Sequence, residues 1–292
     1  MGLAHLKIGN QEISEDSRPF MIAEIGINHN GDMQVAKKLI DAAFATGWSS
    51  VKFQKRTPDI SVPMEQRDKM RDTPWGRMTY LDYKRHIEFG KEEYDYIDAY
   101  CREKPIMWSA SPWDEPSLAF LLKYDIPYIK IASATITNDD LVKKAAQSGK
   151  PLLVSTGMST LEEIDRVVEL LETIGGGNYV LMHTNSDYPT PLRDINLKRM
   201  ETLKERYHCL VGYSGHEETV EPTVIAACVG AKIIERHVTL SHDMWGTDQK
   251  ASLSIHAMSM LMERVKAIPV MMGDGLFHMS NGELKVREKL RG

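Results

Sequence analysis

Eight times along the chain, a short apolar or β-branched run is followed by a polar loop and then by residues with helical periodicity. The runs cover 20–26, 50–55, 105–111, 128–133, 151–157, 179–185, 210–215 and 232–238. Between them, Val35, Ala36, Leu39, Ile40 and Ala43 form a stripe at i, i+3/i+4 spacing. Leu161, Ile164, Val168 and Leu171 form another; Leu118, Leu121 and Leu122 begin a shorter one, and Met258, Leu261, Met262 and Val265 follow the last run. Gly47, Gly149 and Gly175 stand where helices should stop. Near-continuous apolar strands alternating with amphipathic helices predict a parallel sheet covered by helices. Eight such units predict that it closes into an α/β fold of the (β/α)8 TIM-barrel type. The 292 residues then form a single domain, 1–292, a barrel of ~250 residues with additions. Residues 6–14, centred on Gly9-Asn10, read as an N-terminal β-hairpin that plugs the barrel's N-terminal end. Residues 56–90 are too many for an ordinary βα loop and form a candidate lid. Residues 269–292 read as a C-terminal tail with little periodicity.

Composition removes several classes. With 36 Lys+Arg against 41 Asp+Glu the formal charge is −5, so the chain lacks the basic balance of a nucleic-acid binder. That does not exclude an anionic substrate, which depends on where individual Lys and Arg sit. The 42% hydrophobic and 26% charged fractions are those of a globular chain. No apolar run approaches ~18 residues, so no membrane span is expected, and residues 1–7 lack the basic-then-apolar pattern of a signal peptide. Cys101, Cys209 and Cys228 are odd in number and form no CxxC pair, as expected of unbridged thiols in a reducing cytoplasm.

In such barrels chemistry sits at the C-terminal ends of the strands. Here those ends carry Glu24, Lys52, Gln54, Ser109, Ser111, Lys130, Ser133, Ser155, His183, Asn185, Ser186, Ser214, His216, Glu235 and His237. A lone Lys there reads as an edge or snorkelling residue. Two Lys ending separate strands, with serines nearby, point to an anion site for phosphate or carboxylate. A lone His reads as a core or surface residue; His216 and His237 on consecutive strands, with carboxylates near, form a candidate divalent-metal site. Glu24 either neutralises a barrel lysine or handles a substrate hydroxyl or proton. Asp248, in a loop with Gly246, reads by itself as a solvated or capping residue.

These residues resemble a known family. Ile22-Ala23-Glu24-Ile25-Gly26-Ile27-Asn28-His29-Asn30-Gly31 resembles the opening signature of the sialic acid synthases (N-acetylneuraminate synthases and their relatives). Val51-Lys52-Phe53-Gln54-Lys55, Lys130-Ile131-Ala132-Ser133, Ser155-Thr156-Gly157-Met158 and the stretch 183–191 resemble later strands of that family. So do Gly212-Tyr213-Ser214-Gly215-His216-Glu217 and Glu235-Arg236-His237-Val238-Thr239-Leu240, and Asp72-Thr73-Pro74-Trp75-Gly76 resembles part of the lid. The motifs run in register over residues ~18–290.

The resemblance implies a cytoplasmic transferase that condenses phosphoenolpyruvate (PEP) with an N-acetylhexosamine-type aldose, giving a sialic-acid-like 2-keto-3-deoxy sugar acid and phosphate. By the same resemblance Lys52, Lys130, Ser111, Ser133, Ser155, Ser186 and Ser214 hold PEP. His216 and His237 bind a divalent cation, Mn2+ with Mg2+ or Co2+ as alternatives. Glu24, Gln54, Tyr188 and Asp248 contact the sugar and relay protons. The implied assembly is a homodimer. Two departures stand out. Ala134 and Thr135 follow Ser133 where the family often has a carboxylate, and the loop around Asp248 lacks the Pro-Gly-Pro-Asp form of many members. Typical members also continue into an antifreeze-like domain that lends the sugar site an Arg. The sequence ends at Arg291-Gly292, about where that linker would begin, so a barrel-only member is expected, its site closed by the lid, a neighbouring copy or a separate subunit. Two rival readings remain: a Schiff-base aldolase using Lys130 or Lys52, and a non-catalytic sugar- or PEP-binding relic. The aldose (N-acetylmannosamine, its 6-phosphate or another) is open.

Overall fold

The computed structural model describes residues 5–174 and 177–291. Residues 1–4, part of the stretch searched for a signal peptide, lie outside the described residues, as do Gly175, the expected end of a helix, and Gly292. The chain begins with the antiparallel hairpin β1 (His5–Ile8) and β2 (Gln11–Ser14). Its turn is Gly9-Asn10, and Gly9 takes a φ of +58°, which a side chain would resist.

The barrel follows. β3 (Phe20–Gly26) leads to α1 (Met33–Thr46), which Asp32 caps by accepting from the Gln34 amide and which Gly47 ends in a left-handed conformation. After β4 (Ser50–Lys55) come α2 (Pro58–Ser61), the hairpin β5 (Met70–Thr73) and β6 (Gly76–Thr79), and α3 (Tyr80–Ile87). The alternation resumes with α4 (Lys91–Glu103), β7 (Met107–Pro112), α5 (Glu115–Leu121), β8 (Ile129–Ile131), α6 (Asp139–Gln147), β9 (Leu152–Ser155) and α7 (Leu161–Thr173). It closes with β10 (Tyr179–Thr184), α8 (Arg199–Tyr207), β11 (Val211–Gly215), α9 (Glu221–Cys228), β12 (Ile233–His237) and α10 (Ile255–Met272).

Eight strands pair in parallel in the order β7-β4-β3-β12-β11-β10-β9-β8. The two end strands lie side by side, and the Ser109 hydroxyl donates to the Tyr128 carbonyl across the seam at 2.6 Å. The sheet is thus nearly closed into the expected barrel, with the expected hairpin at its start.

Strand periodicity sorts the side chains into two cores. Met21, Ala23 and Ile25 of β3 point outward and pack with Ala36, Leu39 and Ile40 of α1, within a large shell between sheet and helices. Phe20 and Ile22 point inward, with Tyr128, Leu153, Val180, Met182, Leu210 and Ile233. Leu6, Ile8 and Ile13 of the N-terminal hairpin complete this inner cluster; full burial of each such side chain contributes about 1.5–3 kcal/mol. It forms an apolar floor inside the barrel.

Residues 56–90 are ordered rather than an irregular loop. Thr79 caps α3 by accepting from the Asp82 amide at 3.1 Å, and Arg85 pairs with Asp59 of α2. Tyr83 and Ile87 of α3 pack on Ile27, with Trp245 from the loop after β12 against them. The C-terminal residues differ from the expected unpatterned tail. α10 continues through Pro269 to Met272, and α11 (Asn281–Arg291) follows, its start capped by Ser280 accepting from the Glu283 amide. Pro269 stands in the last turn, where its missing N–H costs one bond without breaking the helix. Cys101 and Cys209 are buried, Cys228 is exposed, and all three are unbridged. Among the described residues no helix is long and apolar enough to cross a membrane.

Candidate active site

Each inward position above the floor is two residues further along a strand, and there the residue type changes. Glu24 follows Ile22, Lys130 follows Tyr128, Ser155 follows Leu153, Thr184 follows Met182 and Glu235 follows Ile233. Together they line a cavity of about 290 Å3 at the C-terminal ends of the strands. Of the residues singled out from sequence, Glu24, Lys52, Gln54, Ser111, Lys130, Ser133, Ser155, Ser186, Tyr188, Ser214, His216 and His237 line it. Asp248 is not among the lining residues; it stands behind the rim, its Oδ2 3.9 Å from His237 Nδ1. Ser109 and His183 turn elsewhere, Ser109 to the barrel seam and His183 Nε2 to the Ile195 carbonyl at 2.6 Å. Thr184 and Trp113 line the cavity without having drawn notice in the sequence. The Thr signal was the period-two step from Met182; nothing in the sequence marked Trp113.

Two lysines organise the cavity. Lys52 Nζ lies 2.7 Å from Glu24 Oε2, donates to Ser111 Oγ at 3.0 Å, and lies 3.6 Å from Glu235 Oε1. Lys130 Nζ donates to Ser155 Oγ at 2.6 Å and lies 3.7 Å from the same Glu235 oxygen. Ser214 donates to that oxygen at 3.3 Å, while Glu235 Oε2 is buried without a hydrogen-bond partner. Sequence reading noted Glu235 as a strand-end residue without giving it this place between both lysines.

Burial acts on all four groups, with different outcomes. It pushes Glu24 above the ordinary carboxylate range, against the pull of Lys52. Burial also opposes ionisation of Glu235, but Lys130 and Lys52 outweigh it and hold that carboxyl low. Burial disfavours the Lys52 cation, yet Glu235 and Glu24 raise it, whereas Lys130, for which burial dominates, falls to about 8. The set thus places two lysines beside two carboxyls, one of which burial disfavours as an anion. Two ammonium groups with hydroxyls around them suit an anion that takes over from those carboxyls.

A cradle of serines adjoins the lysines. The Gly157 amide donates to Ser133 Oγ at 3.1 Å. A Cβ on Gly157 would stand 2.5 Å from Ser186 Oγ and 2.7 Å from Ser133 Oγ, so only glycine lets both hydroxyls approach. Gln54 donates to Glu24 Oε1 at 3.0 Å and accepts from Arg56 Nη2.

The two histidines stand at the opposite wall, ring centroids 5.4 Å apart, with Tyr188 stacked on His216 at 4.0 Å. His216 Nδ1 lies 2.5 Å from the Asn185 carbonyl, which can only accept. Nδ1 therefore carries the proton and Nε2 keeps its lone pair. Burial, with His237 beside it, lowers His216 to about 3 and keeps the ring neutral, as a metal ligand must be. His237 Nδ1 is buried without a hydrogen-bond partner. Among the described residues no three His, Cys, Asp or Glu side chains converge on one point. The chain thus offers two imidazoles to a cation, and the remaining positions would fall to water or substrate oxygens.

Behind this wall runs a buried strut. Arg236 Nη1 lies 2.9 Å from Glu217 Oε1 and also bonds Thr223 Oγ1 and the Thr219 carbonyl, while Tyr213 OH donates to Glu217 Oε2 at 2.8 Å. Glu217 follows His216 in the chain and Arg236 precedes His237, so the ion pair ties the two histidine positions together.

The chain has relatives of known name. A sequence profile described as the NeuB family matches residues 39–276. N-acetylneuraminate-9-phosphate synthase of Drosophila melanogaster is 40% identical over 237 residues, covering 80% of this chain and 63% of the fly protein. N,N'-diacetyllegionaminic acid synthase of Campylobacter jejuni is 34% identical over 272 residues, covering 92% of this chain and 81% of that one. The crystal structure of an N-acetylneuraminic acid (sialic acid) synthetase from Leptospira borgpetersenii, in complex with citrate, superposes with a TM-score of 0.86 at 29% identity, covering 100% of this chain and 98% of that one. The chain thus spans less than two thirds of the fly relative's length.

Proposed function

The chain belongs to the NeuB family, and from that premise we propose that it condenses PEP with an amino-sugar aldose to give a 2-keto-3-deoxy sugar acid and phosphate. The observation that carries the reading is the pair of buried lysines, Lys52 and Lys130, in a serine-lined cavity facing two histidines.

In this reading Lys52, Lys130 and the hydroxyls of Ser111, Ser133, Ser155, Ser186 and Ser214 bind the carboxylate and phosphate of PEP. The anions displace the partial pairing that Glu24 and Glu235 give the lysines in the free protein. His216 and His237 would hold a divalent cation, Mn2+ in our proposal, which when bound supplies Lewis-acid polarisation of the aldehyde. PEP C3 forms a bond to the aldehyde carbon, and the electron-poor C2 is captured by water. The resulting tetrahedral centre expels phosphate with cleavage of the C2–O bond, leaving the keto group. Lys52 and Lys130 offset the charge that moves onto the departing phosphate. Glu24, held toward its protonated form by burial, gives a proton to the new hydroxyl or takes one from the attacking water. Gln54 fixes the Glu24 carboxyl, and Tyr188 forms a wall for the sugar against His216.

Mass spectrometry of reactions containing PEP, Mn2+ and a panel of aldoses tests this. The expected product has the mass of PEP plus aldose plus water minus phosphoric acid, and chelation abolishes its formation. Phosphate release at background with every aldose overturns the reading. One observation favours a second reading: Lys130, lowered to about 8 by burial, approaches the range of an amine nucleophile. Under that reading Lys130 forms a Schiff base, and borohydride with a carbonyl substrate leaves a covalent adduct on it; under the first, none forms.

A further inference from the structure

Lys52 and Lys130 face carboxylates; two other cations, beside the cavity rather than among its lining residues, form no ion pair among the described residues. Arg56 follows β4 and is 6% exposed. Its Nη2 donates to Gln54, and its guanidinium lies 3.9 Å over the Trp113 ring; both partners line the cavity. Arg56 Nη1 is buried with no hydrogen-bond partner. Lys84, on α3, is 8% exposed. Its Nζ lies 5.3 and 5.1 Å from the ring centroids of Tyr80 and Tyr83, and among the described residues it donates to no oxygen and pairs with no carboxylate.

Burial, and then repulsion from Arg56, lowers Lys84 to about 7, while Asp248 and Glu88 pull it back. Glu88 is itself engaged, by Lys55 at 2.6 Å and by the Arg56 amide at 2.9 Å. Asp248 is the group between the two ends of the site: its charge is felt by Lys84 and Arg56 on one side, and its carboxylate lies 3.9 Å from His237 on the other. Tyr83 meets Trp245 edge-on at 4.9 Å, which seats α3 against the loop bearing Asp248.

We propose that Arg56 and Lys84 form a second anion subsite, which takes the terminal phosphate of a phosphorylated aldose whose aldehyde end lies at His216 and His237. The proposal rests on the condensation proposed above. A guanidinium Nη1 without an acceptor and an ammonium whose charge it feels match a phosphate monoester in charge and in hydrogen-bond donors. A neutral hydroxymethyl end would leave the two buried cations with only the distant charges of Asp248 and Glu88, and a lone carboxylate would offer fewer acceptors than the two groups have donors. The PEP anions do not compete for the position, because Lys52 and Lys130 gather them on the other side of Gln54 and Glu24.

The test compares N-acetylmannosamine 6-phosphate with N-acetylmannosamine, by phosphate release from PEP with Mn2+ and by calorimetric titration of each sugar without PEP. The wild-type protein is expected to prefer the phosphorylated sugar by about tenfold or more in kcat/KM and to bind it more tightly. Lys84→Gln should lower kcat/KM for the phosphorylated sugar at least tenfold more than for the neutral one, chiefly through the sugar KM, and Lys84→Arg should restore the preference. Equal use of both sugars by the wild type, or equal losses with both in Lys84→Gln, overturns the subsite. Competition by inorganic phosphate against PEP alone, with no effect on sugar binding, also overturns it. No turnover of PEP with any aldose overturns the proposed condensation instead, and the titration then still decides the subsite.

Discussion

The floor and the mouth of the barrel are built from the same strands, two residues apart, and obey opposite rules. At the floor, Ile8, Phe20, Ile22, Leu153 and Ile233 are packed against one another and against the N-terminal hairpin. At the mouth, the next inward positions are Glu24, Lys52, Lys130 and Glu235, also buried but ionisable. One end stores stability in apolar contact; the other holds ionisable groups whose burial costs free energy unless an anion arrives. The difference teaches that a parallel barrel strand need not be uniform. Its period of two lets the inner face switch from packing to chemistry within a single step.

That contrast can be broken most directly at Lys130. Lys130→Met is expected to lower PEP turnover about 10^3-fold while lowering the melting temperature less than a floor truncation does, because burial already disfavours the cation and Glu235 keeps Lys52 as a partner. A fall in melting temperature as large as that of a floor variant would show that the mouth carries stability too. The converse is Ile8→Ala, which removes a fully buried hairpin side chain. It should cost about 2–5 kcal/mol in denaturant unfolding while turnover at low temperature stays within about twofold. Gly157→Ala sits between the two. Its Cβ would force apart Ser133 and Ser186, so a loss of about 1–3 kcal/mol should accompany a raised KM for PEP.

The smallest step, per pH unit and per group, is acid sensitivity. His216 and His29 are each lowered by burial to about 3, from an ordinary value of 6.5. As pH falls below 6.5 the unfolded chain takes up these protons before the folded one does. Stability is therefore full above pH 6.5 and declines toward pH 3, by up to about 1.4 kcal/mol per pH unit for each group. Urea unfolding across pH 4–7 should show a shallower slope in His216→Asn. An unchanged slope would remove His216 from the account.

How much of this could be read from the sequence depended on whether the signal was local. The eight strand runs were legible because apolar stretches broken by helical spacing recur in order, and Lys52 and Lys130 stood out because a charge inside such a run is costly. The pairing of Glu235 with both lysines needed the strands side by side, which spacing along the chain does not give. Arg56 and Lys84 were hidden in the stretch 56–90, where irregular spacing concealed an ordered fold that carries them toward the mouth. Asp248 reads as an ordinary loop residue until Trp245 is seen packed against α3. α11 escaped notice because none of its side chains is buried, so it leaves no stripe facing a core.

The Arg236–Glu217 pair behind the histidine wall has a bearing on how such a site tolerates change. Each partner is a chain neighbour of one histidine, so the separation of the two imidazoles is gauged by a buried pair that is not among the cavity-lining residues. The pair works as a caliper whose jaws are His216 and His237. Resetting it, by a shorter or longer residue at position 217 or 236, would alter the gap between the two imidazoles, and with it the radius of the cation we propose they hold, while leaving every residue of the serine cradle as it was.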